Sequence, residues 1–90
     1  MTGEKVLEVI AFYRSEFEAR RVGPEKHPYD SLPADDAAAL RHCHQMLDRM
    51  EEFVREGHMD KAFRWLGFLQ GVLWRCGVFT LDELRHHNMS

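Results

Sequence analysis

Between Asp60 and Cys76 the chain leaves almost no room for a polar helical face. Phe63, Trp65, Leu66, Phe68, Leu69, Val72, Leu73 and Trp74 point in every direction around a helix. A helix that is apolar on all sides must be covered on all sides. A chain of 90 residues buries only about 60–65% of its unfolded surface, and two further helices of similar length cannot enclose a third. The pattern therefore predicts cover from another copy of the chain. Gly67 and Gly71 share one face of this helix, where a missing side chain lets a neighbouring backbone or a flat ligand approach closely.

The rest of the chain punctuates itself. From Glu4 to Val22, Val6, Ile10, Tyr13 and Phe17 form one helical stripe, widened by Leu7, Val9 and Phe12. Gly23-Pro24 is the expected stop. A second helix is expected from about Ala34 to Glu56. Pro33 suits its first turn, Asp35 and Asp36 complement its dipole, and Gly57 ends it. Its residues Leu40, Cys43, Leu47, Met50 and Val54 step by three and four, as a coiled-coil seam does. The segment Gly23–Pro33 is expected to be an ordered loop anchored by Tyr29 and Leu32. After Gly77, Thr80 and Glu83 form a capping box flanked by Phe79 and Leu84 as a staple, opening a short helix to about His87. The expected fold is all-α: one domain over residues 1–90, a compact bundle of three main helices plus a short C-terminal one, assembling as a homo-oligomer.

Charge and composition narrow the function. The net charge of −3 lacks the basic surplus of a duplex-binding domain. Asp82 and Glu83 would also repel phosphates at the start of the last helix. No apolar run is long enough for a membrane span. The first residues lack the apolar stretch of a signal peptide, so a cytoplasmic location is expected, with Cys43 and Cys76 as unbridged thiols. His42 and His44 lie about 200° apart on a helix and cannot converge on a metal. No nucleophile motif or phosphate-binding glycine loop is present. These observations predict no catalytic residues, no metal and no cofactor.

Two groups could bind an anion. Tyr13 and Arg14 lie mid-helix, and Arg20, Arg21, Lys26 and His27 cluster at the helix end and loop. An aromatic ring beside a cation can stack on a base while the cation meets phosphate. A core tyrosine with a solvated basic surface explains the same residues. Arg64 stands in an otherwise apolar helix, where it can meet either a ligand anion or a carboxylate of another subunit. Gln70 lies about 240° further round that helix, so the two need not share a pocket within one subunit, though two subunits could bring them together.

The run Arg64-Trp65-Leu66-Gly67-Phe68-Leu69-Gln70-Gly71-Val72-Leu73-Trp74, with Gly77 and Thr80-Leu81-Asp82-Glu83-Leu84, resembles the second type of anti-CBASS protein. These are short phage proteins that counter cyclic-oligonucleotide signalling in bacterial immunity. The resemblance covers the last third of the chain well, and His42–Met50 and the first helix loosely. It implies a non-catalytic sponge, a helical homohexamer acting in the host bacterial cytoplasm and sequestering cyclic dinucleotides. Some members also hold cyclic trinucleotides in separate pockets. Carried over residue by residue, it assigns the dinucleotide to Tyr13 and Lys26, with His27 assisting or replacing Lys26. It assigns the trinucleotide to Arg64, with Gly67 giving access; Gln70 is grouped with that pocket. The alternative is a protein-binding inhibitor or adaptor docking through its apolar third helix.

Overall fold

The computed structural model describes residues 1–89. It contains four helices and, among the described residues, no strand: α1 (Gly3–Ala19), α2 (Asp36–Arg55), α3 (Met59–Arg75) and α4 (Leu81–His87). No helix is long and apolar enough to cross a membrane among those residues. The caps explain most of the boundaries. Thr2 accepts a hydrogen bond from the Lys5 amide, and Asp35 accepts one from the Ala38 amide. Asp35 is thus the cap of α2 rather than part of its first turn, and the helix starts two residues later than Pro33 and Ala34 suggested. At α4 the capping box is complete, with Thr80 and Glu83 exchanging both bonds.

Gly57 and Gly77 close α2 and α3 in the left-handed region, at φ 81° and 74°. Each sits in a paired 5→2 and 6→1 hydrogen-bond turn, His58 N–H reaching Phe53 C=O and Val78 N–H reaching Leu73 C=O. The end of α1 departs from expectation. The same turn forms three residues early, with Val22 N–H donating to Phe17 C=O at 2.8 Å. Its left-handed position is held by Arg21 at φ 59°, so Gly23-Pro24 does not stop the helix. His44 secures the departing chain: its Nδ1 bonds the Val22 carbonyl at 2.7 Å, and its ring stacks on Phe17 at 5.2 Å.

The central element is α2, which packs against α1 and forms a hairpin with α3 across Glu56–His58. One core runs through the molecule, from Val6, Ile10 and Phe17 through Cys43, Leu47 and Met50 to Leu66, Leu69 and Leu73, closed by Phe79 and Leu84. The α2 seam faces inward as its spacing predicts. Burial pushes the Cys43 thiol up to about 12, with the nearby Cys76 adding to the effect; both cysteines are unbridged.

On α3 the all-round apolar pattern divides into a buried stripe and exposed side chains on the remaining surface. Ala62, Leu66, Leu69 and Leu73 are buried, whereas Phe63, Phe68 and Trp74 are exposed. Gln70 lies on the buried side. Its Nε2 donates to the Tyr13 hydroxyl at 2.9 Å and to Asn88 Oδ1 at 2.7 Å, and Asn88 returns a bond to Gln70 Oε1 at 3.0 Å. With its oxygen accepting from Gln70, Tyr13 gives its own proton to His87 Nδ1 at 2.8 Å. Burial raises the Tyr13 phenol to about 12 and holds His87 below the ordinary imidazole range, so both groups stay neutral. This network ties α1, α3 and α4 together inside the bundle. Tyr13→Phe leaves Gln70 and His87 each short of a partner and is expected to cost about 1–3 kcal/mol. Chemical denaturation at pH 7.5 measures the loss; an unchanged midpoint would contradict it.

Candidate functional site

Three segments surround a cleft of about 710 Å³. The α2 hairpin arm supplies His42, Gln45, Met46 and Arg49, positions at i, i+3, i+4 and i+7 that share one helical face. The α3 arm supplies Arg64, Trp65 and Phe68, and the loop before α2 adds Lys26 and Tyr29. Met46, almost fully buried, forms part of the apolar lining. Trp65 is held edge-on against Phe53, with ring centroids 5.0 Å apart. The lining therefore contains three cations, three aromatic rings and no carboxylate, in a chain whose net charge is −3.

The cations are unequally committed. Arg64 pairs with Asp60 one turn back at 3.6 Å, and its side chain is 68% exposed. Arg49 bonds Glu52 and Glu56 along its own helix and lies 4.3 Å from the Phe53 ring centre. Exposed pairs of this kind are worth less than about 1 kcal/mol, so a phosphate can replace the carboxylate at little cost. Lys26 forms no ion pair among the described residues, and its Nζ lies 4.9 Å from the Tyr29 ring centre.

The loop is held by polar contacts rather than by buried anchors. Tyr29 is 80% exposed and Leu32 is 90% exposed, which corrects their expected role. Instead His27 N–H donates to His42 Nδ1 at 3.0 Å, Glu25 N–H donates to the Arg41 carbonyl at 3.1 Å, and the Glu25 carboxylate lies 3.6 Å from Arg41. Accepting at Nδ1 fixes the His42 tautomer with its proton on Nε2. Burial, reinforced by the charges of His27 and Lys26, keeps His42 below the ordinary imidazole range. His42 is thus a neutral latch between loop and helix.

The expected site residues are distributed differently from the two-pocket assignment. Tyr13 is 1% exposed and its hydroxyl is committed to Gln70 and His87. In this fold its ring offers no face to a ligand. Gln70 is buried by the same network and does not stand beside Arg64. Arg64 is an exposed side chain, not a buried one. Gly67 lies in a separate shallow groove of about 670 Å³ with Gly71, Pro33, Ala39 and Val72, open above its Cα. His27 lines a smaller adjoining hollow, with Nε2 bonded to Ser31 Oγ at 3.1 Å. Lys26 and Arg64, assigned to different ligands, line one and the same cleft. The basic cluster also divides: Arg21 borders a different hollow with Arg14, Glu18 and Asp48, and there Arg14 is paired with Asp48 and Glu51.

Sequence reasoning missed Gln45, Arg49 and the stacking capacity of Tyr29. The signal was present in the His42–Gln45–Met46–Arg49 spacing, which borders the apolar seam and faces Arg64 and Phe68 across the hairpin. No family model matches the chain, and no curated protein or solved structure matches it either.

The latch has a definite pH response. Folding keeps His42 and His87 neutral, while in the unfolded chain they titrate near 6.5. Stability is therefore complete above about pH 6.5 and falls as pH drops below it, because the unfolded state takes up protons first. Protonated His42 can no longer accept from the loop, so exchange of the His27 amide, corrected for intrinsic rate, should accelerate between about pH 7.5 and pH 5. His42→Ala should show the faster exchange already at pH 7.5. An amide equally protected throughout would contradict the latch.

Proposed function

We propose that this protein is a non-catalytic sponge that binds cyclic di- and trinucleotide messengers and withdraws them from bacterial anti-phage signalling in the host cytoplasm. The observation that carries the reading is the cleft that joins Lys26, Arg49 and Arg64 to Tyr29, Trp65 and Phe68 without a carboxylate in its lining. A cyclic dinucleotide is two flat bases and two phosphate charges in a compact ring. Its recognition needs stacking platforms and a few local cations rather than a basic surface. The sequence resemblance to the anti-CBASS family points to the same ligands and implies a homohexamer. In this chain the aromatic partner of Lys26 is Tyr29 rather than Tyr13. Binding alone performs the function, since removing the messenger from its receptor by mass action requires no bond to break.

The uncovered side chains of Phe63 and Trp74, which share one face of α3, favour the second reading, an inhibitor or adaptor that docks on another protein. Mixing the purified protein with a cyclic dinucleotide, separating the complex, heating it and analysing the released nucleotide distinguishes the readings. Intact recovered ligand supports the sponge. Degraded ligand shows an enzyme, and no uptake leaves protein docking.

Two variants test the placement of the ligand. Tyr29→Ala removes a stacking platform and is expected to weaken dinucleotide binding by about 1–3 kcal/mol. Lys26→Ala removes a charge-assisted contact worth about 1.5–3 kcal/mol. Tyr13→Phe should leave the affinity unchanged in calorimetry at a temperature where it remains folded. Assembly is tested separately: Trp74 is exposed and lies outside the cleft lining, so Trp74→Asp reports on subunit contacts, whereas Leu69 is buried within the protomer and its substitution would unfold it. Wild-type protein should sediment as an oligomer and Trp74→Asp as a smaller species. A wild-type monomer at micromolar concentration would remove the assembly from the account.

A further inference from the structure

The polar atoms lining the cleft are nearly all donors. Lys26, Arg49 and Arg64 have no acceptor, and His42 presents its remaining nitrogen as Nε2–H because Nδ1 is taken by the loop. The side-chain acceptors are the Tyr29 hydroxyl and the Gln45 amide oxygen. Gln45 alone carries a donor and an acceptor side by side in one rigid plane. It is half-buried and its side chain makes no hydrogen bond among the described residues, although the side chains of its helical neighbours His42 and Arg49 are both engaged. A phosphate oxygen can take only its N–H group and leaves the carbonyl oxygen without a partner. A heteroaromatic ring with an N–H next to a ring nitrogen is complementary to it, and the primary amide is the side chain that pairs both atoms of such an edge.

We infer that Gln45 is the base-reading side chain of this cleft, binding the adjacent donor and acceptor on the edge of a nucleobase while the cations take the phosphates. The inference rests on the nucleotide-binding reading and assigns its specificity. The cleft then discriminates by the free edge of the base, so it rejects rings of equal charge and stacking area whose edge is blocked. Gln45 is a ligand-positioning group in this scheme, and its loss spares the phosphate contacts.

Cyclic di-adenylate and its 1,N6-etheno derivative provide the test. They share the ring phosphates, and the etheno derivative loses no stacking surface, but its bridge removes the exocyclic N–H and occupies the neighbouring ring nitrogen. Wild-type protein should bind the adenine ligand about tenfold or more tightly, the range of a paired amide–base contact. Gln45→Met keeps the length and bulk of the side chain and leaves no protein partner unsatisfied, so helicity and assembly should persist. It should bind the adenine ligand about tenfold more weakly than wild type and lose the preference. Equal binding of both ligands by wild type, or a preference that survives in Gln45→Met, would overturn the role of Gln45 while leaving the sponge intact. Failure of wild type to bind either ligand would overturn the nucleotide-binding reading and this inference with it.

Discussion

A phenol in the middle of a helical core is tolerated only if its hydroxyl is bonded, because an unpaired buried hydroxyl costs about 1–3 kcal/mol in protein mutational data. Tyr13 is such a phenol, and Gln70 and His87 are its partners. Their bond fixes more than local stability. With Gln70 turned inward at a position that alternates with Leu66, Leu69 and Leu73, the rotation of α3 about its axis is set. Phe68 must then face outward, and Arg64 and Trp65 take the edge that borders α2. The cleft between the hairpin arms is a consequence of that rotation. One buried polar contact in the bundle thus determines which residues of the most apolar helix remain available to a ligand.

The helices were legible because their signals are local. The Thr80–Glu83 box, the left-handed glycines at 57 and 77, and the seam from Leu40 to Val54 each depend on residues within one or two turns, and the structure shows all three. The end of α1 was not, because Arg21 adopts a conformation for which its residue type gives no signal. The site was legible only in its residue types. The residue types expected of an anion site, a tyrosine beside a cation and an arginine of the third helix, do line one cleft, with Tyr29 in the place expected for Tyr13. Tyr13 and Tyr29 differ by complete burial and near-complete exposure; the stripe of Val6, Ile10 and Phe17 already favoured the core for Tyr13, whereas the hydroxyl partners that commit it there come from α3 and α4 and have no local signal. Lys26 and Arg64 are far apart in the chain, and it is the hairpin and the loop latch that bring them to one cleft.

In the proposed reading, the electrostatics reconcile an acidic chain with an anionic ligand. The acids that make the net charge negative lie along helix surfaces, where Asp60, Glu52 and Glu56 pair with the same arginines that line the cleft. These weak, solvent-exposed pairs hold the guanidinium groups near the opening without fixing them there. Lys26 is kept beside Tyr29 by a loop whose attachment runs through neutral His42. Positive charge is concentrated where aromatic faces are also available, which favours a compact ligand combining rings and phosphates over an extended polyanion.

The most direct measurement is the backbone amide spectrum of the protein as a cyclic dinucleotide is titrated in. If the hairpin cleft is the binding site, shifts should concentrate in three stretches: Lys26 to Ser31, His42 to Arg49 and Arg64 to Phe68. Resonances of α1 around Tyr13 should stay in place. Shifts centred on α1 and the Arg14–Arg21 hollow, or an unperturbed spectrum at saturating ligand, would contradict the account.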